Sequence, residues 1–282
     1  MRRLAGIALA LAAAWVLSGC AVMRLAYDNA DTFVRWRAGN YLDLEGAQAQ
    51  DLEERIQDFH RWHRSHALPQ YETLALEAAR RLDDGLSPQD LVWGYDSLKA
   101  QARTGLREAA TRIAPLLDRL DPSQLAHIER GFAEDNRRFA RDHLRGNEEE
   151  RRTRRVKRTV ERLEDWVGRL SEPQVERVRR FAERVSPVDE LRDRERRRLQ
   201  AALFDIVRRR EAQAHLADLA ADWERGREAG YAAAAEAFRR ELYAMLLDVD
   251  RMLTPRQRAR AIARLRNYAD DFRALNAARR AH

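Results

Sequence analysis

Three imidazoles stand at helical spacing in "HRWHRSH": His60, His63 and His66. Neutral imidazoles one turn apart can share a metal ion. Steps of three drift around a helix, however, and neither an H-E-x-x-H pattern nor a cysteine accompanies them. His63 also continues an apolar stripe through Leu52, Ile56 and Phe59. A half-buried helix end is the favoured reading, and no metal or cofactor is expected. A second charged stretch, "RRTRRVKR" at 151–158, could meet anionic headgroups or an acidic partner. Glu148 to Glu150, Glu161 and Glu164 flank it, so a solvated face laced with ion pairs is the expected state. Carboxylates are abundant, but no spacing singles out one pair as acid and base. Neither a phosphate-binding glycine loop nor a nucleophile elbow occurs. No catalytic residue is assigned, and enzyme activity is not expected.

Cys20 is the only cysteine, so disulfides and thiolate metal sites are excluded. Its setting gives it a different role. Arg2 and Arg3 precede an uncharged stretch from Leu4 to Leu17. That stretch is shorter than the ~20 residues of a membrane span but suits the apolar region of a signal peptide. "LSGC" at 17–20 resembles the bacterial lipobox. The resemblance implies cleavage after residue 19, diacylation of the Cys20 thiol and acylation of the new amino terminus. Anchoring by more than one chain is stable. Ala21 in place of Asp after the cysteine implies the periplasmic face of the outer membrane. The expected partners are the membrane, through lipid on Cys20, and a periplasmic protein partner or client, with no nucleic acid.

These features need a scaffold, and the composition points to helices. Charged residues make up 35% of the chain, with only 12 Gly and 7 Pro. Lys occurs only at 99 and 157; the other basic side chains are Arg, for which a GC-rich genome is the simplest cause. The apolar residues follow helical periods. Val156, Val160, Leu163, Val167 and Leu170 form one stripe, and Phe238, Leu242, Met245 and Val249 another. Breaks suggest helices over 28–38, 45–67, 69–84, 88–119, 122–145, 147–169, 172–185, 188–210, 212–225, 228–252 and 255–280, some of which merge. Pro115 should kink or end its helix. The expected fold is all-α, an extended multi-helix bundle or array after a cleaved lipoprotein signal peptide (1–19). "HLRGNEEER" at 143–151 divides an N-terminal helical lobe (20–146) from a C-terminal one (147–282).

One pentapeptide returns along the chain: "LEGAQ" at 44–48, "LSPQD" at 86–90, "LDPSQ" at 120–124, "LSEPQ" at 170–174 and "LTPRQ" at 253–257. The small polar residue can cap a helix while the Gln or Asp three positions on reaches back to its N–H, a capping box. The preceding Leu can staple onto Leu91, Leu125 or Val175. In the last copy Arg258 occupies that place. L-[ST]-x-x-Q is also the signature of the Spy/CpxP-like periplasmic proteins, which implies a holdase chaperone as an alternative function. More of the chain, "LAYDNADTFVRWRAGNYLDL" at 25–44, "HRWHRSHALPQY" at 60–71, "ERRTRRVKRTVERLEDWVGRLSEPQ" at 150–174 and "LTPRQRARAIARL" at 253–265, resembles an uncharacterised family of proteobacterial lipoproteins. That resemblance implies lipidation and an all-helical mature part, and supplies no activity. The expected role is a lipid-anchored binding or scaffold protein. Tyr27, Phe33, Trp36 and Tyr41 follow the anchor. Core packing is favoured for them over headgroup contact, because Asp28, Asp31, Asp43 and Glu45 oppose deep insertion.

Overall fold

The computed structural model describes residues 27, 29–185 and 188–277. The expected signal peptide (1–19) and the expected lipidation site Cys20 lie outside the described residues. Within them all regular structure is helical, as the apolar periods require. Helix α1 is Ala30–Leu42. Helices α2 (Gly46–Trp62) and α3 (Leu68–Asp83) are joined without a break by a π-helical turn, His63–Ala67. Next come α4 (Pro88–Leu117) and α5 (Pro122–Phe139), the latter closing in a second π turn, Ala140–Leu144. The chain continues through α6 (Glu148–Val167), α7 (Glu172–Arg184), α8 (Asp189–Arg208), α9 (Ala212–Ala221), α10 (Ala229–Arg251) and α11 (Pro255–Ala277).

Three boundaries differ from expectation, one being that α1 runs to Leu42, four residues past the expected 38. The break between residues 67 and 69 is absent, because the Leu68 N–H bonds to His63 O, five residues back. The wider register accommodates Pro69, which has no N–H of its own to place. Helix α9 ends at Ala221, short of the expected 225. Pro115 behaves as expected, and α4 stops two residues beyond it.

Alanine faces allow the longest contacts. Helix α3 lies along α11 through Ala75 and Ala79 on one side and Ala261 and Ala269 on the other, all buried. Helix α4 lies along α9, where Ala110, Ala114, Ala212 and Leu216 share a cluster with Leu117, Ile128 and Val207. A second cluster, centred on Phe181, Met245 and Val249, joins α6, α7 and α10. The start of α9 has no cap of its own. Asp118, at the end of α4, accepts from Ala212 N at 2.6 Å and Gln213 N at 3.1 Å and supplies one across the fold.

The capping boxes form as expected at Ser87, Asp121 and Ser171, and a further one forms at Asn147 with Glu150. At Thr254, the Thr254 N–H donates to Gln257 Oε1 at 3.0 Å and the Gln257 N–H to Thr254 Oγ1 at 3.2 Å. "LEGAQ" departs from the pattern, since the Glu45 side chain caps nothing. The Gln side chains do more than reciprocate their caps. Gln174 Nε2 donates to Gln257 Oε1 and Gln257 Nε2 to Gln174 Oε1, both at 3.1 Å. Each Nε2 spends its other hydrogen on the carbonyl just before the partner motif, Met252 O at 3.1 Å and Arg169 O at 2.9 Å. Gln48 and Gln124 repeat the exchange at 3.3 and 2.7 Å, with Gln124 Nε2 also reaching Asp43 O at 2.9 Å and Gln48 Nε2 reaching Arg119 O at 3.5 Å. Asp43 is the left-handed residue (φ 54°) that ends α1. Both pairs therefore have local two-fold symmetry.

The missing staple at Arg258 has a polar replacement. Its guanidinium donates to Leu82 O at 2.5 Å, Asp250 Oδ1 at 2.9 Å and Asp250 O at 3.0 Å, tying α11 to the ends of α3 and α10.

Truncating one buried amide leaves its partner's polar groups unpaired, at ~1–3 kcal/mol. Gln174→Ala and Gln257→Ala are each expected to cost about 2 kcal/mol in urea unfolding. The double variant should cost less than the sum by about 1 kcal/mol. Strict additivity would show that the two amides do not act as a pair.

Candidate functional site

Helix α1 is the least embedded element described. None of its residues is buried, and Phe33 and Trp36 are 59% and 62% exposed. Their rings lie 6.1 Å apart, Trp36 on the outer side and Phe33 at the rim of an apolar cleft beside the helix. The inner face, with Val34, Ala38, Tyr41 and Leu42, lies over α2, α4 and α5. Two apolar clefts flank it, of about 390 and 440 Å3, with Val34, Ala38 and Ile113 common to both. Val34 is itself 47% exposed, so the helix rests across these hollows rather than filling them.

The four aromatic residues expected to act together divide into two groups. Tyr41 packs inward on Phe132 at 5.9 Å. Burial, with help from Asp135, pushes its hydroxyl up to about 12. Tyr27 lies against His60 at 4.7 Å, and its hydroxyl is 2.8 Å from His63 Nδ1. Core packing therefore holds for Tyr27 and Tyr41 but not for Phe33 and Trp36. No helix among the described residues is long and apolar enough to cross a membrane.

The histidines do not converge. His60 and His63 face Tyr27, while His66 stacks flat on Trp62 at 6.0 Å and bonds to Ser65 Oγ at 2.8 Å. Among the described residues no group of three His, Cys, Asp or Glu is placed to hold a metal. The π turn gives His63 a different setting, as one step in a ladder of rings. His63 meets Tyr71 at 5.5 Å, Tyr71 meets Phe272 at 5.7 Å, Phe272 meets Tyr268 at 6.4 Å and Tyr268 meets Trp166 at 6.0 Å. Sequence reasoning missed this ladder because its members lie on three helices and the turn between α2 and α3. The basic run is mostly neutralised where it stands. Arg151 pairs with Glu190, Arg152 with Glu149, Arg155 with Asp189 and Lys157 with Glu161.

The family described as "Family of unknown function (DUF6279)" matches residues 40–231. The chain belongs to this family. No curated protein and no solved structure matches the chain. The DUF6279 match takes in Gln48, Gln124 and Gln174 but stops in α10, before Gln257, which completes the second amide pair. It begins at Asn40, so Tyr27, Phe33 and Trp36 precede it.

Burial and, secondarily, His60 hold the His63 imidazole below its ordinary 6.5. The unfolded chain therefore takes up a proton at higher pH than the folded one. Stability should be complete above about pH 6.5 and fall as pH drops through the depressed value. Urea midpoints measured from pH 7.5 to 5 should show this decline, and His63→Phe should flatten it. An unchanged decline in the variant would place the proton uptake elsewhere.

Proposed function

We propose that this DUF6279 chain is a lipid-tethered binding protein of the bacterial envelope, held through Cys20 at the periplasmic face of the outer membrane, with α1 turned towards the bilayer. The observation that carries this reading is the exposed pair Phe33 and Trp36 on a helix beginning at Ala30, close in sequence to the lipobox cysteine. Amphipathic rings are favoured at headgroup depth. Arg37, beside them, makes no ion pair or hydrogen bond among the described residues and suits an anionic headgroup. Asp31 on the same helix limits the contact to the surface. Binding rather than catalysis is the role that the lipobox and the helix array support. The clefts under α1 place apolar surface beside the membrane-facing side.

A second reading, a holdase similar to the Spy/CpxP proteins, is favoured by the outer stripe of α4. Val92, Leu98 and Leu106 are 49%, 67% and 47% exposed there, an apolar strip open to a client.

Cys20→Ala is expected to abolish acyl labelling and to release the protein from the membrane fraction. On that unlipidated background, Phe33→Ser with Trp36→Ser should lower flotation with phosphatidylglycerol-containing vesicles by about tenfold. Unchanged flotation would remove α1 from the membrane contact. In-cell cross-linking that recovers no reproducible partner would sink the scaffold role. If the chain leaves the light scattering of a denatured client unchanged, the holdase reading goes.

A further inference from the structure

A third apolar cleft, of about 560 Å3, opens between α6 and α10, away from α1, with Phe181 of α7 beneath it, Leu82, Leu86 and Leu91 at its far end, and Asp250, already paired with Arg258, as its one carboxylate. Its floor is Phe181, Met245 and Val249, which are 1%, 0% and 3% exposed. Around them Leu163, Phe238 and Leu242 line the hollow while remaining only half-buried. Protein interiors normally close over such side chains to crystal-like density. Small-molecule sites are apolar hollows of about 300–1,000 Å3 with a few polar groups at one side. This cleft has that character. Thr159, Arg162 and the 37% exposed Trp166 stand along it on α6.

The charge at this edge identifies the occupant. Arg162 makes no ion pair or hydrogen bond among the described residues, and neither does Arg158 one turn earlier. The neighbouring cations of the basic run are all satisfied: Arg155 by Asp189, Lys157 by Glu161, and Arg154 by the Arg145 carbonyl. Asp165, three residues beyond Arg162, forms no ion pair with it. An unneutralised guanidinium beside an apolar hollow complements a molecule with a hydrocarbon chain and an anionic head. We propose that this cleft binds a single-chain fatty acid, with the chain over Phe181 and Met245, the carboxylate on Arg162, and Trp166 covering the entrance. The site is independent of the contact assigned to α1.

The test uses the full chain in phosphatidylcholine nanodiscs with a palmitate analogue carrying a diazirine at its methyl end. After irradiation, mass spectrometry should find cross-links concentrated in the stretches 159–167 and 238–249. Excess palmitate should suppress them at least tenfold, and the same excess of hexadecanol should not. Arg162→Glu, on the surface and not needed for packing, should lower labelling about tenfold. Leu242→Trp, checked for an unchanged helical circular dichroism spectrum and unfolding midpoint, should block labelling by filling the hollow. Cross-links concentrated at residues that do not line the cleft, equal competition by hexadecanol, or labelling indifferent to Arg162→Glu would each overturn the proposal. If Leu242→Trp does not fold, Arg162→Glu and the two competitors decide it.

Discussion

A primary amide offers two donor hydrogens and two acceptor lone pairs, and a buried one is stable only when they are matched. Gln174 meets that demand in full. It accepts from the Ser171 N–H and from Gln257, and it donates to Gln257 and to the Met252 carbonyl. Three elements thus meet at one side chain: its own helix start, the start of α11 through the paired amide, and the end of α10. Much of the fold is positioned by this pairing and its counterpart at Gln48 and Gln124. The fifth motif shows why the amide matters. Asp90, with a carboxylate in the same place, has no hydrogen to donate. It turns to Arg81 at 2.6 Å instead, and the Leu86 N–H goes to Asp250 Oδ2 at 2.9 Å.

Arginine makes many of the other junctions. Arg55 donates to the Arg112 carbonyl, Arg155 to Ala182 O, Arg198 to Trp223 O and Arg258 to Leu82 O. Several of these carbonyls lie where a helix runs out of partners for them, and a cation is favoured there by the helix dipole. The planar guanidinium can hold a carboxylate and a carbonyl together, as Arg258 and Arg198 do, which an ammonium does less well. Whatever the genomic cause of the arginine bias, the fold uses the shape of that side chain.

The helices were legible because their signals are local. The stripe from Val156 to Leu170 faces the clusters its spacing implies, and Ser87, Asp121 and Ser171 cap where the sequence places them. What escaped was any relation between distant residues. A Gln at the third helical position looks the same whether it reciprocates its cap alone or also meets another Gln. Pro69 reads as a break because a π turn has no compositional signature. The candidate site was half legible. The aromatic residues that follow Cys20 in the sequence stood out, but their split followed from partners elsewhere in the fold: Phe132 for Tyr41, and His60 and His63 for Tyr27. The 560 Å3 cleft was invisible because its lining residues are those of an ordinary core.

The amide pairs also bear on the order of assembly. Each closes a long loop, of 76 residues in one case and 83 in the other. Loop closure costs entropy that rises only as the logarithm of length, so the two closures are nearly equal in cost. A few neutral hydrogen bonds, worth ~1 kcal/mol each, do not offset that cost while the chain is still open. The packing of α2 on α4 and of α7 on α10 must bring the motifs together first. The pairs are then late contacts in folding, which fix the register of helices already collapsed and slow their separation more than they speed their meeting.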